Sequence, residues 1–205
     1  MLINSASHPM STQPSVGGPI YFIRNIVYHA PGGSTRLTAG SPGVFFYNNT
    51  VLTETSGGSA ANVHWRNNLM LPSNAAGPIF AVNTYTNYST SDYNGFGLKP
   101  GVQPAFQWNS PQYGVPVVDS KGAPADALVQ RKFASLQAYV ADTKQDQHSV
   151  LVDYSVFVNV PQLDAKDLFT VQRLYKADAL DFRLKAGSVA IDKGTVLPTI
   201  TDGFT

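Results

Sequence analysis

The sequence predicts an all-β chain whose strands stack as successive turns of a solenoid. Three observations carry this reading: an apolar–polar segment that recurs along the first half, a scarcity of charge, and an abundance of turn-forming residues. Charged residues are 13 % of the chain, about half the usual share, and long solvated helices need more. Seventeen Gly and fourteen Pro require many turns.

The recurring segment aligns without gaps. Its copies are Ile20 to Tyr28, Val44 to Leu52 and Val63 to Leu71, with a shared Asn at positions 25, 49 and 68. The steps are 24 and 19 residues. A weaker fourth copy, Ser91-Asp92-Tyr93-Asn94-Gly95-Phe96, places Asn94 a further 26 residues on. Steps of this size belong to a solenoid, whereas a propeller blade needs about 40 residues and a leucine-rich repeat its own consensus. A parallel β-helix suits the spacing best.

Each copy reads as a strand, a polar corner and a second short strand. Alternation puts Ile20, Val44 and Val63, with Phe22, Phe46 and Trp65, on one face as inward columns. The outward face carries Tyr21, Phe45 and His64, then Ile23, Tyr47 and Arg66. Asn at the corner tolerates left-handed backbone and bonds its stacked neighbours along the axis. Pro31 to Ser34 and Thr55 to Ser59 read as closing loops. From Lys99 to Gly122 the repeat dissolves into an extended excursion, and Asp126 to Asp142 has the apolar spacing of a short helix. Strand character returns over Val150 to Val158, and a last element runs from Asp181 to Asp192. The chain therefore divides into a polar segment, 1–18, and a β-helical part, 19–205, with an irregular insertion at about 99–149.

Composition limits the partners. A formal net charge of +1, without local runs of Lys or Arg, provides no footprint for nucleic acid. No segment is apolar for long enough to insert in a membrane. The absence of Cys excludes disulfides and thiolate metal sites. Met1 to Gly18 is not a signal peptide, so export requires one upstream.

The corners Arg24-Asn25, Tyr47-Asn48-Asn49 and Arg66-Asn67-Asn68 resemble those of the pectate-lyase-like right-handed parallel β-helix superfamily. Ser91-Asp92-Tyr93-Asn94-Gly95 is similar to a turn common in its bacterial members. The tail, Asp181-Phe182-Arg183-Leu184-Lys185-Ala186-Gly187-Ser188-Val189-Ala190-Ile191-Asp192-Lys193-Gly194, resembles the pattern that closes the last coil, with Val189 where Pro is usual. The resemblance spans roughly Gly18 to Gly194. It implies the C-terminal portion of an exported or otherwise extracytoplasmic β-helix protein that acts on or binds polysaccharide. Any enzymatic activity would be that of a polysaccharide lyase with catalytic coils upstream. The alternative is a non-catalytic glycan-binding or structural cell-surface solenoid. A trimeric fibre is a third class, but heptads that would build one are absent.

Lyases of this superfamily neutralise a uronate carboxylate and remove the adjacent proton with a base, and its hydrolases use paired carboxylates, all on the outward face. Here that face offers Arg24, Tyr47, His64 and Arg66 as carbohydrate-binding residues, with the arginine forks matched to sugar carboxylates. The same residues also suit an ordinary exposed sheet. Only Glu54 and Asp92 are acidic between Gly18 and Lys99, so neither a hydrolase pair nor a Ca²⁺ cage is expected. No catalytic residue, metal ligand or cofactor is assigned. His148 reads as a capping or hydrogen-bonding residue. Phe106, Trp108 and Tyr113 read as a flank cover or a sugar-stacking platform.

Overall fold

The computed structural model describes residues 1–3, 10–12, 18–28, 35–37, 43–53, 56–72, 77–115, 128–162 and 176–201. Among these the chain is mostly β, with parallel sheets and a single α-helix. The expected loop Pro31 to Ser34, the residue Glu54 and the start of the expected helix at Asp126 lie outside the described residues.

Three sheets share the strands in rotation. The outward-facing sheet holds β3 (Ile20–Ile23), β6 (Val44–Tyr47), β9 (Val63–Arg66) and β12 (Thr90–Asp92). The second holds β1 (Leu2–Ile3), β4 (Ile26–Tyr28), β7 (Thr50–Thr53), β10 (Leu69–Pro72), β13 (Gly95–Phe96) and β16 (Val150–Leu151). The third holds β8 (Ser56–Ala60), β11 (Phe80–Thr84), β14 (Phe106–Asn109) and the antiparallel edge β15 (Lys132–Phe133). Every other pairing within these sheets is parallel. Two short pairs complete the set: β2 (Met10–Ser11) with β5 (Thr35–Arg36), and β17 (Phe157–Asn159) antiparallel to β18 (Asp181–Leu184).

The expected inward columns form. Val44 pairs with Ile20 and Val63, and the Phe22, Phe46 and Trp65 rings stack at 4.7 and 6.2 Å. In the next strand the inward positions become Ser89 and Ser91, both buried. The central strands of the second sheet, β4, β7 and β10, carry apolar residues on both faces because both are covered. Val27, Val51, Met70 and Phe96 enter the main core, while Tyr28, Leu52 and Leu71 pack on Val152, Val156, Phe157 and Phe182 of the C-terminal segment.

Three expectations need correction. Thr55 to Ser59 is read as a loop, yet Ser56–Ala60 is a strand paired with β11. Gly58 is there for space: a Cβ on it, at a φ of 136°, would lie 3.0 Å from the Leu37 side chain. The repeat also does not dissolve after Lys99, because Phe106–Asn109 joins the third sheet in register with β11. The helix spans only Leu136–Thr143; before it, Lys132–Phe133 is strand. Ser135 caps the helix by accepting from the Ala138 N–H at 3.2 Å, and Tyr139 plugs the core by stacking on Phe106 at 5.2 Å.

Candidate functional site

The corner between the first two sheets is built from two residues in each round. Arg24, Asn48, Asn67 and Tyr93 take positive φ, between 57° and 58°, and the Asn that follows each one points inward. The left-handed position is thus one residue before the shared Asn. Asn25, Asn49, Asn68 and Asn94 form a continuous amide ladder: each side-chain oxygen from Asn49 onward accepts both the backbone and side-chain N–H of the preceding rung, at 2.9–3.0 Å. The next rung divides between two residues. Ser149 Oγ accepts the Asn94 backbone N–H at 2.7 Å, and Asp146 Oδ1 accepts its side-chain N–H at 3.0 Å. Gln145 to Leu151 is therefore a fifth copy of the repeat, in register with Thr90 to Phe96.

Outward from this corner, the sheet face carries two in-register rows. One is Tyr21, Phe45, His64 and Thr90; the other is Ile23, Tyr47, Arg66 and Asp92. Tyr21 stacks on Phe45 at 4.9 Å and Phe45 on His64 at 5.2 Å. Among the described residues no ring covers the other face of Tyr21, which is 53 % exposed. Pro198, Thr199 and Ile200 fold back beside Tyr21, Ile23, Phe45 and Tyr47, enclosing a groove of about 510 Å³.

The four sequence-predicted residues fall in this region. Tyr47 and Arg66 are register neighbours, and His64 lies one outward position before Arg66. Arg24 sits at the corner and donates to the Ile200 carbonyl at 2.6 Å. Arg66 donates to its neighbour's carbonyl, Trp65 O, at 2.8 Å and to Thr90 Oγ1 at 2.9 Å. Thr90 Oγ1 lies 2.8 Å from His64 Nδ1. Either the hydroxyl or an Nδ1–H donates in this contact, according to the tautomer of the ring, and in both cases Nε2 is left to other partners. Burial, then the Arg66 charge, pushes the His64 pKa down; burial outweighs Arg66 and pushes Tyr47 up. Both are neutral at pH 7.

Sequence reasoning missed the partner of His148. Its backbone N–H donates to Asp92 Oδ1 and its Nδ1 to Asp92 Oδ2, both at 2.8 Å, while its ring stacks on Tyr93 at 4.6 Å. Burial alone would raise the Asp92 pKa, but hydrogen bonds from His148 and the Tyr93 N–H hold it below its ordinary value. Of the two readings of Phe106, Trp108 and Tyr113, flank cover or sugar-stacking platform, the platform fails because Phe106 and Trp108 are buried in the core. Tyr113 alone is exposed, its hydroxyl donating to Asp142 at 2.9 Å under the Arg131 guanidinium. Burial and the Asp142 bond push its pKa up to about 12. No helix among the described residues is long and apolar enough to cross a membrane.

No protein-family model, curated protein or solved structure matches this chain.

Proposed function

We propose that the chain forms terminal coils of a right-handed parallel β-helix outside the cytoplasm, and that its outward sheet face binds polysaccharide. Rotation of the strands among three sheets supports the coil reading, as does the tail pattern ending at Gly194. The binding reading is carried by one observation: the groove that joins Tyr21, Phe45 and Tyr47 to the Pro198–Ile200 turn. Aromatic surface beside polar tips suits pyranose rings, whose faces are apolar and whose edges carry hydroxyls. Lyase-like catalysis, in this reading, belongs to coils outside the chain.

Affinity electrophoresis through gels containing polysaccharides tests the reading. At least one polymer should retard the protein, and Tyr21→Ala, an exposed substitution, should weaken that retardation about tenfold, the order expected for one aromatic contact. Undiminished binding by this variant, or no retardation by any polymer, would sink the proposal.

A further inference from the structure

Resting on the reading of the outward face as a polysaccharide site, we infer that its ligand is a neutral glycan, and that Arg24 and Arg66 brace the protein rather than capture sugar carboxylates. Bidentate capture of a carboxylate needs an open guanidinium edge. Arg66 is pinned from both terminal nitrogens, one donating to Trp65 O and one to Thr90 Oγ1, so two of its five donors are spent inside the protein and the fork is fixed along the sheet, half-buried. Arg24 is turned to the Ile200 carbonyl, where it holds the turn that walls the groove.

The neighbouring charge points the same way. Asp92 is the register partner of Arg66 on the next strand, about 4.8 Å away along the sheet. It is fixed by three hydrogen bonds from His148 and Tyr93. A uronate polymer laid along this row would meet that carboxylate as well as the arginine. On the two outward rows, Tyr21 Oη, Tyr47 Oη and His64 Nε2 make no hydrogen bond to another described residue. All three match sugar hydroxyls, and the open Tyr21 ring matches a sugar face. The low pKa of His64 and the high pKa of Tyr47 keep both groups uncharged at neutral pH.

The test compares galactomannan, xyloglucan and mixed-linkage glucan with polygalacturonate and alginate, each at low and high salt. Binding to a neutral polymer should change by less than about twofold with salt, since little charge is screened. Tyr47→Phe, which keeps the ring, should weaken it about fivefold to tenfold, the order for one hydrogen bond. A preference for polygalacturonate or alginate that falls steeply with salt and is lost in Arg66→Gln, with the near-ultraviolet circular dichroism of that variant unchanged, overturns this inference and leaves the polysaccharide reading standing. Binding to none of the five polymers overturns both.

Discussion

Asn68 has all four side-chain bonding positions in use within the protein. Its oxygen accepts from the Asn49 backbone and side chain, and its amide donates to Phe46 O and Asn94 Oδ1. Asn68→Leu keeps the volume but leaves those partners buried and unpaired, so it should cost about 3–5 kcal/mol in urea unfolding. The ladder ends in an acid, with consequences for pH. Burial pushes the Asp146 pKa up, more than its bonds from Ser149, Asn94, Ser91 and Tyr139 pull it down. A raised folded pKa means that the native state holds the proton more tightly. The resulting stability is complete below the ordinary value of 3.8 and is lost as pH rises through the folded value. Asp146→Asn should therefore match the native protein in thermal midpoint at acid pH and exceed it at neutral pH. Asp92 has the opposite sign: its lowered pKa contributes stability above 3.8 that is lost as pH falls through the folded value. His148→Leu should reduce that acid sensitivity, since the side-chain bond is lost while the backbone bonds from position 148 and Tyr93 remain. The ladder was legible in the sequence because like residues recur at one position. The left-handed site was read one residue late, since Arg24 and Tyr93 are not residues that favour it. The fifth rung was hidden because Ser149 and Asp146 together replace one Asn.

At the scale of elements, Gly95 shows how tightly the second sheet is covered. A Cβ there would lie 2.7 Å from Leu69 Cδ2 and 3.2 Å from Val152 Cγ1. Gly95→Ala should destabilise by about 1–3 kcal/mol through overpacking. Adding Leu69→Ala should recover part of that loss relative to the sum of the single effects, a coupling that a double-mutant cycle measures. If the two effects simply add, the contact is not the cause. This covering explains which strands could be read in advance. Most strands of the first two sheets carry regular apolar columns and stood out, whereas β1 lies in a segment, 1–18, that reads as polar. The third sheet did not stand out, because Ser56–Ala60 is written in Ser, Gly and Ala, the vocabulary of loops. Its order comes instead from a ladder that sequence inspection passed over: Asn109 donates to Asn83 at 2.7 Å and Asn83 to Ser59 at 3.1 Å. The same gap made Phe106 and Trp108 look like an excursion when they are core.

Across the whole molecule, the C-terminal stretch runs back over the corner it follows. Thr195 exchanges two hydrogen bonds with the Asn67 side chain, both at 2.8 Å, and Arg24 reaches Ile200 two strands earlier in the outward sheet. This tail walls the aromatic groove, so its local stability bears on the site without bearing much on the sheets. Asn67→Gly separates the two. Glycine accepts the φ of 58° at that corner without the penalty of a side chain, so the fold loses little, while both tail bonds are removed. The Thr195 amide should then exchange about tenfold faster, the equivalent of one net hydrogen bond. Amides of Thr50–Thr53 and Leu69–Pro72, in the centre of the six-stranded sheet, should keep their protection. Uniform acceleration across those strands would mean that tail and sheets unfold as one unit. Selective acceleration would mean that the wall of the groove opens on its own, so that a polymer could enter the aromatic face without any strand being displaced.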